Sequence, residues 1–256
     1  MPEGDTVYLA AERLRAALVG KTLTRTDFRV PRYATLDLRG DPVDSVGSYG
    51  KHLFVRTPRL SIHTHLKMEG TWRVYTPGQR WTKPGFTARL ILATADTQAV
   101  GFSLGLVEVL PRPDEHTATV HLGPDLLGPN WDADEALRRL RAHPDQPIGL
   151  ALLDQRNLAG IGNIYRSEIC FLRRVHPATP IAHIDDLPAL VDEAHRVLTR
   201  AAHHPPWRAL AYGRHHRPCP RCATNLIARH LPDPDEPTRA DRSIYFCPRC
   251  QPRPSD

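Results

Sequence analysis

Apolar positions along this chain follow three successive rhythms. From Asp5 to Leu18, Val7, Ala11, Leu14 and Leu18 recur at helical spacing and Gly20 supplies a stop, which predicts an opening helix. The following stretch of about a hundred residues is built from shorter runs: TLTRTDFRV, ATLDLRG, HLFVRT, LSIHTHL, TWRVYT, ARLILAT and AVGFSL. These are β-rich and separated by Gly, Pro and Asp, so they predict an antiparallel sandwich or barrel. The Gly-Pro steps of HLGPDLLGP mark its end. From Asp134 helical spacing returns in DEALRRLRAH, QPIGLALLDQ, NIYRSEICFLRRV and DLPALVDEAHRVLTRAAHH. A cysteine-bounded module and the polar tail QPRPSD close the chain, and no internal repeat is visible. The pattern is that of an α+β multidomain protein: a β domain behind one helix, then a helical domain with a small hairpin.

Length and composition narrow the class. A chain of 256 residues suits two domains with a small appendage. No apolar run approaches the ~18 residues of a membrane span, and the N-terminus lacks the basic-then-apolar order of a signal peptide. The expectation is a soluble, cytoplasmic protein that needs no membrane. Net charge is +6, which permits a polyanionic partner. Among the 34 basic residues only Lys21, Lys51, Lys67 and Lys83 are lysines. Arginine suits bidentate phosphate contacts, although genome composition produces the same bias.

The strongest local signal is the pair of CPRC knuckles, Cys219–Cys222 and Cys247–Cys250. Together they offer four thiolates to one tetrahedral Zn²⁺ of the closed, structural kind, so no catalytic metal is expected. The 24 residues between the knuckles exceed the usual ~15–20, with LPDPDEP as the surplus loop. His215, His216 and His230 are alternative ligands. A hairpin so small serves to present a side chain, and Arg242, just ahead of the second knuckle, is placed to fork onto a phosphate or simply to be solvated. Cys170 stands apart in a helical pattern and reads as a buried structural thiol.

Three further segments carry candidate chemistry. In DQRNLAGIGNIYRSEI a Gly-containing turn precedes a helix that Asn163 would cap, an arrangement able to hold an anion or merely to pack two helices. In GSYGKHLFVR a turn holds Lys51 at the edge of the sheet; in HTHLKMEGTWRV, Lys67, Met68 and Glu69 form the tip of a hairpin, with Met68 an incidental apolar residue or a wedge for a base stack. The chain opens MPEGD. Removal of Met1 would leave Pro2 as a secondary amine on a rigid ring, and α-amino groups titrate around pH 7.7–8.0, so part of it is nucleophilic near neutrality. The plainer reading is that Pro2 and Glu3 start and charge a helix.

Taken in order, MPEGD, GKHLF, HLKMEG, HLGPDLL, LLDQRNLAGIGNIYRSE and RSIYFCPRCQ resemble the formamidopyrimidine-DNA glycosylase / endonuclease VIII family of base-excision repair enzymes over essentially the whole chain. The resemblance implies an N-terminal catalytic β-sandwich over residues 1–127, a helix-two-turn-helix DNA-binding domain over 128–212, and a zinc-finger hairpin and tail over 213–256. It implies a monomeric glycosylase and abasic-site lyase acting on damaged DNA in a bacterial cytoplasm or nucleoid. Pro2 would be the Schiff-base nucleophile, Glu3 the proton donor and acceptor, and Lys51 a contact to phosphate and sugar. Asn163 and Arg242 would clamp the phosphates flanking the lesion, and Lys67, Met68 and Glu69 would fill the gap left by a flipped base. MPEGD, and the absence of an Arg-Phe-Gly wedge from GFSLGLVEVL, favour the endonuclease VIII branch, hence oxidised pyrimidines and β,δ-elimination. The chain departs from the family's pattern in its wedge residues, its longer hairpin and the shorter acid Asp5, which bear on lesion and opposite-base preference. Rival readings are a non-catalytic zinc protein that recognises damaged DNA, an enzyme using Lys51 as nucleophile, and an RNA-directed or structural zinc protein.

Overall fold

The computed structural model describes residues 2–231 and 243–253. The chain divides into two compact units, Met1–His121 and Leu122–Asp256. The first opens with α1 (Gly4–Leu18), whose Val7, Ala11, Leu14 and Leu18 are all buried, as their spacing predicts.

Eight strands follow: β1 (Arg25–Phe28), β2 (Ser45–Tyr49), β3 (His52–Arg56), β4 (Leu60–His65), β5 (Thr71–Tyr75), β6 (Ala88–Ala93), β7 (Gln98–Phe102) and β8 (Leu106–Pro111). They form two antiparallel four-stranded sheets, ordered β1-β6-β7-β5 and β2-β3-β4-β8. Leu53, Val55 and Ile62 of one sheet meet Leu90, Leu92 and Ala99 of the other in a shared core closed by α1. This is the expected sandwich.

The local departures have physical causes. ATLDLRG alternates like a strand but forms turns, because the Leu38 N–H bonds the Thr26 hydroxyl and Gly40 sits at φ +90°, where a strand cannot continue. The strands SVGSY and LVEVLP went unanticipated, since half-buried positions blur the alternation. Lys67, Met68 and Glu69 are not a hairpin tip: β4 and β5 lie in different sheets, so residues 66–70 cross between them.

The second unit packs α2 (Ala133–Arg141), α3 (Ile148–Ala151), α4 (Asn163–Leu172) and α5 (Leu187–His203) around Leu140, Ile148, Ile161, Ile169, Leu190 and Leu198. Asp132 caps α2 and Asp186 caps α5, each through a side-chain oxygen on the third N–H beyond it. QPIGLALLDQ yields only the four-residue α3, and Gly149 there lies so close to the Pro177 carbonyl that a side chain would crowd it. Cys170 is fully buried, as expected, and burial pushes its thiol up to about 12.

Strands β9 (Ile227–Arg229) and β10 (Ile244–Phe246) form the short antiparallel hairpin, and α4 is its anchor. The Asn163 amide donates to the Ser243 carbonyl at 3.0 Å, and the Tyr245 N–H reaches the Ser167 hydroxyl at 3.3 Å. Arg221 donates to the carbonyls of Phe171 and Leu172 at 2.6 and 3.0 Å, stacked 4.5 Å over the Phe171 ring. Buried Glu168 accepts from the backbone N–H groups of Leu210, Ala211 and Tyr212, each at 2.8 Å, which fastens the chain leading into the hairpin. Among the described residues no helix is long and apolar enough to cross a membrane.

Candidate functional site

At the head of α1, Pro2 is partly exposed while Glu3 is only 1% exposed. Glu3 holds an extended backbone as the residue ahead of the helix, and its carbonyl accepts the Val7 N–H at 3.1 Å. The helix start therefore fixes a carboxylate-bearing residue directly beside the Pro2 ring, with Asp5 adding charge where the helix dipole favours it. Helix α1 lies against β2, β3 and β5.

Lys51 sits in the two-residue turn between β2 and β3, whose register pairs Tyr49 with His52. Gly50 takes φ +54° at the first central position, as a II′ turn requires, so the glycine is what delivers Lys51 to the strand end. At the same end of the sheet His65 closes β4 opposite His52, and Lys67 follows in the left-handed region at φ +54°. Met68 is 59% exposed, Glu69 is also exposed, and Gly70 is buried. The Gly70 N–H bonds the Leu66 carbonyl at 2.9 Å, closing a tight loop in which an added methyl group would collide with that same carbonyl oxygen. Gly70→Ala is accordingly expected to cost about 1–3 kcal/mol of stability and to displace Met68. Thermal unfolding checks the first effect and a crystal structure of the variant the second.

Sequence reasoning missed a histidine column on the outer face of the β2-β3-β4-β8 sheet. His52 Nδ1 and His63 Nε2 are 2.8 Å apart, and His63 Nδ1 lies 3.1 Å from the Glu108 carboxylate. The His63 ring lies near-parallel to those of His52 and Phe54, with centroids 5.0 and 4.8 Å away, and His65 meets His52 edge-on at 5.1 Å. The Lys67 N–H donates to His65 Nδ1 at 2.9 Å. Burial, reinforced by His63, His65, His121 and Lys67, holds His52 down to about 3. Burial and the charges of Lys67 and Lys51 hold His65 down to about 4, and burial lowers His63 against the pull of Glu108. The imidazoles are thus neutral at physiological pH. The alternation HTH in β4, with His52 opposite it, was the available signal.

In the second unit Gly162, not Asn163, is the N-cap of α4, and Asn163 is its first helical residue. Its buried amide bridges instead, accepting from Arg166 Nε at 2.8 Å while donating to Ser243. A side chain so engaged across the hairpin cannot also fold back to cap its own helix. The preceding glycine turn is held by Gln155, which accepts from the Gly160 N–H at 3.0 Å and donates to the Ile161 carbonyl at 2.9 Å. Arg242 and residues 232–237 of the LPDPDEP loop lie outside the described residues.

The sulfur atoms of Cys219, Cys222, Cys247 and Cys250 all lie within 4.8 Å of one another. The Cys219–Cys250 and Cys222–Cys247 separations are 3.9 and 3.5 Å, close to the ~3.8 Å edge of a tetrahedron of thiolates about 2.3 Å from a metal. Backbone N–H groups of Arg221 and Cys250 point at the sulfurs of Cys219 and Cys247, each at 3.4 Å, as thiolate ligands favour. The four cysteines fit a metal ion.

Comparison with known proteins bears on the family and the fold. Residues 1–103 match the formamidopyrimidine-DNA glycosylase N-terminal domain, and residues 122–205 match the formamidopyrimidine-DNA glycosylase H2TH domain. A probable endonuclease 8 2 of Streptomyces coelicolor is 48% identical over the whole chain and 95% of its own length. A DNA-(apurinic or apyrimidinic site) lyase Nei2 of Mycolicibacterium smegmatis is 46% identical over 98% of this chain and 99% of its own. A Lactococcus lactis Fpg, solved in complex with DNA containing N7-benzyl-Fapy-dG, superposes with a TM-score of 0.84 over 98% of this chain and 100% of that one. At 23% identity it shows the shared fold. Two domain matches and relatives of nearly equal length place the chain in the formamidopyrimidine-DNA glycosylase / endonuclease VIII family, and within it on the endonuclease VIII side.

Proposed function

We propose that the protein is a bifunctional DNA glycosylase and abasic-site lyase of base-excision repair, acting through the amine of Pro2. Its relatives, named endonuclease 8 and abasic-site lyase, support the activity class. The single observation that carries the residue assignment is the head of α1, where the buried Glu3 stands directly beside the partly exposed Pro2.

In this reading the Pro2 nitrogen bonds to C1′ of the damaged nucleotide. The base leaves with its bonding electron pair and takes up, directly or through solvent, the proton lost from the Pro2 nitrogen, while Glu3 protonates the ring oxygen O4′ as the sugar ring opens. The secondary amine leaves a C1′ iminium cation, which draws electrons from C2′ once its proton is removed. The 3′-phosphate departs in that β-elimination and the 5′-phosphate in the δ-elimination that follows. Lys51 supplies positive charge for the phosphate and sugar beside the lesion, and Asn163 and Arg242 hold the flanking phosphates. Lys67, Met68 and Glu69 occupy the space of the extruded base. The substrate is duplex DNA carrying an oxidised base, pyrimidines foremost, bound by a monomer in a bacterial cytoplasm. One Zn²⁺ on the four cysteines supplies the cross-link that fixes the hairpin and takes no part in the reaction.

The test is borohydride reduction in the presence of an abasic-site oligonucleotide. Wild-type protein with a processed N-terminus is expected to give a one-to-one covalent adduct that shifts on a denaturing gel. No adduct would overturn the lyase reading and leave a DNA-binding protein.

A further inference from the structure

The column formed by His52, His63 and Glu108 is not used by the reaction described above, yet its hydrogen bonds run in one direction. A carboxylate only accepts, so the proton between Glu108 and His63 sits on His63 Nδ1. Neutral His63 then presents a lone pair at Nε2, and the 2.8 Å contact requires His52 Nδ1 to be the donor. That leaves His52 Nε2 with a lone pair, backed by a carboxylate two rings away. His52 is the first residue of β3, directly after Lys51 in the turn, so the relay ends at the same edge of the sheet as that lysine.

The charges around His52 oppose a proton there in the free protein. Lys51 precedes it in the turn, His65 and Lys67 close β4, and His121 adds a further basic group. His63 lies behind it, with Glu108 on β8; Glu115, on the turn after β8, is already engaged by Arg56 and Ser61. A phosphodiester beside Lys51 would offset these charges, because it brings a full negative charge near an imidazole already withdrawn from water.

We propose that His52 is a proton-linked phosphate ligand: a DNA phosphodiester docking beside Lys51 draws a proton from solvent onto His52 Nε2, and Glu108, through His63, stabilises the imidazolium. The only bond formed is N–H, and the proton comes from water or buffer. This inference rests on the reading that the Lys51 end of the sheet receives the sugar-phosphate of the lesion. The sign follows directly. The free-state value lies low and the complex raises it, so affinity strengthens as pH falls between the two.

The experiment titrates the full-length protein calorimetrically with a duplex carrying a tetrahydrofuran abasic analogue, near pH 6.5 (about the unperturbed histidine midpoint), in PIPES and in Bis-Tris. These buffers differ in ionisation enthalpy, so their difference in heat counts protons. Wild type is expected to take up protons on binding and to gain up to about tenfold in affinity per pH unit lowered, the limit for one linked proton. His52→Gln should lose both the uptake and the pH slope. Glu108→Gln keeps an acceptor for His63 but removes the charge, so it should reduce the uptake even if His52→Gln folds poorly. Wild-type binding without proton uptake, or uptake unchanged in both variants, would overturn the proposal. Failure of wild type to bind the duplex would overturn the functional reading beneath it.

Discussion

Pro2→Gly is expected to lower the yield and rate of borohydride-trapped adduct by more than about 100-fold, the scale seen when a covalent nucleophile is removed. The substitution keeps a terminal amine but changes its character. Proline's secondary nitrogen gives an iminium that is cationic without further protonation, whereas glycine's primary amine gives an imine that must be protonated before it withdraws electrons. The ring also fixes the attacking lone pair, while glycine adds backbone freedom at a chain end. Stability should be unaffected, because α1 begins at Gly4 and buries its apolar face beyond the substituted position. Equal thermal unfolding with lost trapping therefore separates chemistry from folding. A wild-type-like adduct in Pro2→Gly would transfer the role to Lys51, and Lys51→Met in the same background would then abolish trapping.

Much of this architecture is legible in the chain because its strongest signals are local. The spacing of Val7, Ala11, Leu14 and Leu18 gives α1, and Gly50 ahead of Lys51 gives the turn that delivers the lysine. Two knuckles suffice for the cysteine cluster, since four sulfurs converge only if the hairpin closes. What escaped was set by tertiary context. Whether Lys67, Met68 and Glu69 tip a hairpin or bridge two sheets depends on which strands pair, and a short run ending in glycine looks alike in both cases. Asn163 has the residue type of a cap, yet its partners Arg166 and Ser243 draw the amide elsewhere, and Ser243 is eighty residues away. The column of His52, His63 and Glu108 was hidden for the same reason. Its members come from three strands and become a chain only in the observed register.

Removing the metal is expected to cost the protein its grip on DNA while sparing the first unit. Within itself the hairpin has little else to hold it: β9 and β10 pair over three residues each, and its core is a small cluster of Phe171, Ala211, Leu226, Cys219 and Cys247. Structural zinc sites contribute on the order of 10 kcal/mol or more of apparent binding energy, all of it folding energy for the element that they close. Without it, the bonds from Asn163 to Ser243 and from Ser167 to Tyr245 have no fixed strand to meet, so α4 loses the partner it positions. Elemental analysis should give one zinc per chain, and chelation should weaken binding to an abasic-analogue duplex by roughly 100-fold or more through lost phosphate contacts. Calorimetry should show the transition of the first unit unchanged, since its core contains no cysteine. Cys247→Ser should reproduce the loss, whereas Cys170→Ser, outside the four-cysteine cluster, should keep the zinc content and damage only the helical core. Full DNA affinity in protein shown to be metal-free would mean that the hairpin folds by its own contacts and that α4, through Glu168, Ser167 and Asn163, is the true support.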